Sequence, residues 1–88
     1  MKNFKDNTVV ITGGATGIGF ALAKAFGADG AKVVLAEPRL NRLEQSVTAL
    51  SALGVDASFC QCDVADPDSV HALADYAWKE HGQVDVLI

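Results

Sequence analysis

Apolar residues along this chain switch between two spacings, and the switching predicts a fold. Thr8-Val9-Val10-Ile11-Thr12 is a short β-branched run that breaks into glycines, the pattern of a buried strand. Ile18, Leu22, Ala25 and Phe26 then recur at helical spacing, which predicts a helix starting near Gly17 and ending between Gly27 and Gly30. A second strand is predicted over 31–36. Leu40, Leu43, Val47 and Leu50 mark a second amphipathic helix, closed by Gly54, and 57–62 reads as a third strand. Asp66-Pro67-Asp68-Ser69 is a helix start: Asp66 caps, Pro67 suits the first turn, and Asp68 suits the positive end of the helix dipole. Val70, Leu73, Ala74, Ala77 and Trp78 form the expected apolar face of that third helix, and 84–88 begins a fourth strand.

Strands that alternate with helices through short connections argue for an α/β fold with a parallel sheet. Right-handed crossovers narrow the βαβαβαβ pattern to a partial Rossmann-type doubly wound sheet of strand order 3-2-1-4. No internal repeat, linker or low-complexity segment divides 1–88, so the chain is at most one domain.

Bulk properties then remove function classes. At 88 residues the chain buries about 60–65% of its unfolded surface, a thin margin that its 50% apolar content has to serve. A formal net charge of −4 argues against a sequence-independent grip on nucleic acid. No run of like charges suggests an anionic-membrane patch, and the apolar runs are far too short to span a bilayer. The start, Met-Lys-Asn-Phe-Lys-Asp-Asn, has no apolar region of the kind a secretory signal needs, so a cytoplasmic location is expected. Cys60 and Cys62 share one face of the third strand, and His71 and His81 follow. Their spacing is not a standard zinc pattern, and small apolar cysteines suit a buried strand, so no metal site is assigned.

The chemistry gathers in the first strand-to-helix turn, Thr12-Gly13-Gly14-Ala15-Thr16-Gly17-Ile18-Gly19. A backbone that turns sharply and approaches a pyrophosphate has no room for side chains, and N–H groups at a helix start hold phosphate charge. Gly13, Thr16, Gly17, Ile18 and Gly19 are therefore assigned to cofactor binding. A P-loop is excluded: Gly14 and Gly19 have its spacing, but Phe20 and Ala21 stand where Lys and Ser/Thr must be. The glycines are spaced G-x-x-x-G-x-G rather than G-x-G-x-x-G.

With Thr12 in front and Ile18 inside, this turn resembles the T-G-x-x-x-G-I-G signature of the short-chain dehydrogenase/reductase family. Three further features carry the resemblance: Glu37 where an acidic residue ends strand 2, Asp63-Val64 where an Asp-Val pair ends strand 3, and Asp85 before the apolar run of strand 4. The resemblance covers the whole chain. It implies NAD(P)(H)-dependent oxidoreduction, usually of alcohols and carbonyls, and identifies 1–88 as an incomplete, N-terminal part of such a domain. It also implies that Asp63 accepts a hydrogen bond from the adenine amino group and that Val64 walls the adenine pocket. The alternatives are a loop aspartate capping nearby N–H groups and a valine filling core.

Glu37 lies 18 residues past Gly19, near the offset of about 20 expected for a ribose-binding acid. A carboxylate there accepts from both ribose hydroxyls and repels a 2′-phosphate, which favours NAD over NADP. Arg39 works the other way if it pairs with that phosphate; the alternative is that, following Pro38, it begins the second helix. The glycine turn offers no basic residue to help it; Thr16 stands where NADP-preferring relatives often carry one.

Tyr76 and Lys79 are not the family's Tyr-x-x-x-Lys pair: the spacing is one short, and they precede strand 4 rather than follow it, so both read as surface and rim residues. The family's catalytic Ser, Tyr and Lys come well after strand 4, and none is expected here. Two functions stand: a dinucleotide-binding portion of an NAD-dependent oxidoreductase, taking a small-molecule substrate only in a longer parent, or a stand-alone module that binds nucleotide or a partner without chemistry. An uncovered strand 4 and an incompletely covered sheet face predict self-association.

Overall fold

The computed structural model describes residues 5–13, 17–82 and 84–88. The elements run β1 (Thr8–Thr12), α1 (Gly17–Ala28), β2 (Lys32–Glu37), α2 (Leu40–Ala52), β3 (Asp56–Gln61), α3 (Pro67–His81) and β4 (Val86–Leu87). The four strands form one parallel sheet in the order β3-β2-β1-β4, the order expected from the chain pattern. Thr8 faces Lys32 and Thr12 faces Ala36 across β1 and β2, while β2 and β3 pair from Lys32–Asp56 to Glu37–Gln61.

Side chains alternate across a strand, and the sheet sorts them into two cores. Val9, Ile11, Val33 and Leu35 pack on one face against Ala23 of α1 and Leu43 and Leu50 of α2. Val10, Val34 and Ala36 pack on the other against Cys62 and, from α3, Leu73 and Ala77. Buried on both faces, β1 and β2 read as continuous apolar runs. The two cysteines share a face as expected: both belong to the second core.

Helix α3 begins as its sequence predicts. Asp66 accepts from the Asp68 N–H at 3.1 Å, with Pro67 in the first turn. Its buried face differs from the expected one. Of the five expected positions Leu73 and Ala77 are buried, whereas Val70, Ala74 and Trp78 are exposed, Trp78 to 65%; Tyr76, expected at the surface, packs partly buried against the second core. Each helical residue turns about 100° from the last, and the side of α3 that carries Trp78 is not the side turned to the sheet. Between α3 and β4 an apolar groove of about 300 Å³ remains, lined by Val10, Val64, Val70, Leu73, Val84 and Leu87.

Strand β4 is shorter than the predicted 84–88, since only Val86 and Leu87 register with β1. Hydrogen bonds extend the contact at both ends. The Asp85 N–H donates to the Thr8 carbonyl and the Thr12 N–H to the Ile88 carbonyl, both at 2.9 Å. The Asp85 carboxylate in turn accepts from the Thr8 N–H at 2.8 Å, which clasps the start of β1. No helix among the described residues is long and apolar enough to cross a membrane.

Candidate functional site

The C-terminal ends of β1, β2 and β3 open onto a cleft of about 470 Å³. Open α/β sheets bind ligands at such strand ends, because the loops there diverge and helix N-termini face the gap. Gly13, Glu37, Asp63 and Val64, four of the eight residues assigned from sequence, line this one cleft. They are joined by Arg39, weighed from sequence either as a phosphate partner or as the start of the second helix, and by Cys62, which was assigned to core.

Gly13 takes φ +67°, a left-handed conformation that costs a residue with a Cβ. Its N–H donates to the Ala36 carbonyl at 2.8 Å, which ties the turn to the end of β2. A Cβ built on Gly13 or on Gly17 meets nothing within 4 Å, so both glycines border open space. Gly17 opens α1, Ile18 behind it is 79% exposed, and Gly19 is buried. Thr16 lies outside the described residues.

Glu37 ends β2 with only 2% of its surface exposed. A buried carboxylate is tolerable only when paired and hydrogen-bonded, and Arg39 does both. Glu37 Oε1 accepts from Arg39 Nε at 2.7 Å and from Arg39 Nη2, while Oε2 accepts from the Arg39 backbone N–H. The turn between them is pinned from β3, where Gln61 Nε2 donates to the Pro38 carbonyl at 2.8 Å. Arg39 is also the N-cap residue of α2, with extended backbone angles, and its carbonyl receives the Arg42 and Leu43 N–H groups.

The hydrogen bonds from the Arg39 side chain hold the Glu37 carboxyl below its ordinary value of 4.5, against the opposing effect of burial. A depressed folded-state value stabilises the fold fully above the unfolded value, and that contribution is lost as pH falls through the folded value. Glu37→Gln, which mimics the protonated acid, should therefore be less stable than the native chain at about pH 7, and the gap should shrink by about pH 3. Urea unfolding midpoints at the two pH values check this; a gap that stays constant counts against it.

Asp63 is exposed and lies two residues past the end of β3. Its Oδ1 accepts from the Ala65 N–H at 3.0 Å, and its own N–H donates to Ser69 Oγ at 2.9 Å. The capping role weighed from sequence is thus present in this structure. Val64 is 64% exposed, so it lines the cleft rather than filling the core.

A glycine turn into a helix, a buried acid closing strand 2 and a cleft across three parallel strand ends define a dinucleotide-binding type of Rossmann domain. The comparisons with known proteins narrow this class. The family model described as short chain dehydrogenase matches residues 7–88, and the chain belongs to that family. It is 40% identical over 88 residues to a C alpha-dehydrogenase of Sphingobium sp., covering 100% of this chain and 29% of that protein. A short chain dehydrogenase/reductase of Burkholderia phymatum, solved in complex with NAD, matches at TM-score 0.93 and 36% identity, over 99% of this chain and 31% of that one. An NAD+-bound xylitol dehydrogenase matches at TM-score 0.93 and 27% identity, over 98% of this chain and 33% of its own. The chain spans roughly a third of the length of the curated relatives it matches.

Proposed function

We propose that this chain is the NAD(H)-binding portion of an NAD-dependent oxidoreductase that acts, in a longer parent and in the cytoplasm, on an alcohol or carbonyl substrate. The observation that carries the reading is the buried Glu37 carboxylate at the mouth of the cleft that Gly13, Asp63 and Val64 also line. The bound dinucleotide supplies hydride chemistry; this chain supplies its grip on the adenosine and phosphate half. Glu37 receives the ribose hydroxyls, Asp63 and Val64 border the adenine, and the turn from Gly13 through Thr16 and Gly17 to Ile18 and Gly19 receives the pyrophosphate at the start of α1. No residue of this chain is given a catalytic role. The solved NAD complexes of similar proteins support the choice of cofactor.

Glu37 sets the expected preference. A carboxylate accepts from both hydroxyls of NAD, but faces one hydroxyl and a like charge in NADP. NAD(H) should bind more tightly than NADP(H), and Glu37→Ala should narrow the gap by about tenfold, the worth of one hydrogen bond to a charged group. Calorimetric titration of both nucleotides is the measurement. Equal or tighter binding of NADP by the native chain would sink the assignment.

A further inference from the structure

Glu37, the acid that the ribose hydroxyls need, is already engaged in this structure. Both of its carboxylate oxygens accept hydrogen bonds from Arg39. The two partners are unequal. The Glu37 side chain is 2% exposed, whereas that of Arg39 is 48% exposed. The Arg39 backbone is committed to the start of α2, so its N–H stays on Oε2 while the guanidinium on Oε1 has solvent on its far side.

Resting on the dinucleotide reading above, we infer that Arg39 is a built-in competitor for Glu37 that sets how sharply the site separates 2′-hydroxyl from 2′-phosphate nucleotides. Ribose hydroxyls reach Oε1 only by displacing the guanidinium. The displaced cation then meets one of two environments. With a free 2′-hydroxyl it turns to water and gains nothing beyond hydration. With a 2′-phosphate it finds a dianionic partner at the same spot, a charge-assisted contact for which its planar fork is suited. Arg39 therefore weakens the binding of the first nucleotide and strengthens that of the second, and Glu37 alone would discriminate more strongly than the native pair.

Two probes that differ only in the 2′-phosphate separate this effect from the rest of the cofactor: 5′-AMP and 2′,5′-ADP. Arg39→Ala should bind 5′-AMP several-fold more tightly than the native chain and 2′,5′-ADP on the order of tenfold more weakly, as expected for one charge-assisted hydrogen bond. Arg39→Gln, which keeps polarity beside the helix start, should shift the two affinities in the same opposite directions as Arg39→Ala does. In the native chain the Arg39 Nε–H proton should be slow to exchange when the site is free and fast once 5′-AMP is bound.

An unchanged ratio of the two affinities in both variants, or a parallel loss of both nucleotides, would overturn the inference and leave the dinucleotide reading standing. So would an Nε–H proton that stays protected in the 5′-AMP complex. Failure of the native chain to bind either probe would overturn both.

Discussion

Gly27→Val should lower the stability of this chain by about 2–3 kcal/mol, the usual cost of forcing extra carbon into a packed interior. A Cβ at position 27 lies 2.7 Å from Val55 Cγ2 and 3.1 Å from Val55 Cβ, and closer still to Val55 Cγ1. Val55 is itself 8% exposed and packs in the first core, so it has little room to retreat. A β-branched side chain is also stiff, so a rotamer change relieves little. Valine gains only a few tenths of a kcal/mol over glycine in helix propensity, too little to offset the overlap. At roughly 0.05–0.15 kcal/mol per residue, a domain of this size has little stability to lose. Urea unfolding gives the number. The decisive control is the double variant with Val55→Ala, which removes the methyl groups that clash. It should be more stable than the sum of the two single losses by at least about 1 kcal/mol, a coupling typical of residues in contact. Simple additivity would show that the close approach of α1 to Val55 is not the cause.

The second large effect concerns the state of the chain in solution. The 88-residue chain is expected to associate with itself as concentration rises, because large apolar side chains stand open, Leu87 and Val64 in the groove and Trp78 on the outer side of α3. Leu87 is 68% exposed, Trp78 65% and Val64 64%. Strand β4 pairs with β1 on one side and with no other described strand, so its outer N–H and C=O groups form a template for a further strand. A small core has little apolar surface to spare for the loss. Val86 is a poor place to test the idea, since it packs against the first core. Leu87→Lys places the charge on the open side and should shift the equilibrium toward monomer with unchanged unfolding. Sedimentation velocity over a wide concentration range is the measurement. A native chain that sediments as a compact monomer at every concentration would refute the expectation.

Much of the architecture was legible because local signals and burial agree. β1 and β2 are interior strands, so their central residues, 9–11 and 33–36, answer to the same demand for apolar bulk, and the positions of both strands could be read to within a residue. The cap of α3 was readable because Asp66 and Pro67 act on their own backbone. Half of the assigned site residues converge on one cleft for a similar reason: a parallel sheet brings all its strand ends to one edge.

What escaped depends on the third dimension. That Arg39 satisfies Glu37 follows from the bend at Pro38 and its tether to Gln61, a residue 23 positions away. The partial burial of Tyr76, and the exposure of Val70, Ala74 and Trp78, follow from how α3 rolls against the sheet, which periodicity alone leaves free. The role of Cys62 was half visible. A small side chain just past β3 serves the core, and because the strand ends there it also borders the cleft.

The clasp between Asp85 and Thr8 joins residues 77 positions apart, and this gives the chain a timetable. A ribosome adds about 5–20 residues per second, so β1 leaves it on the order of ten seconds before the strand that completes its second side. Through that interval β2 can occupy one edge of β1, and α1 and α2 can begin to cover one face, while the other edge stands bare. Nascent β1 is thus the segment with the longest wait for its partner, and the span in which a wrong strand can be captured is set by translation speed. Slower decoding between codons 37 and 85 prolongs that exposure, so the choice of synonymous codons in this stretch bears on how much of the chain reaches its native pairing.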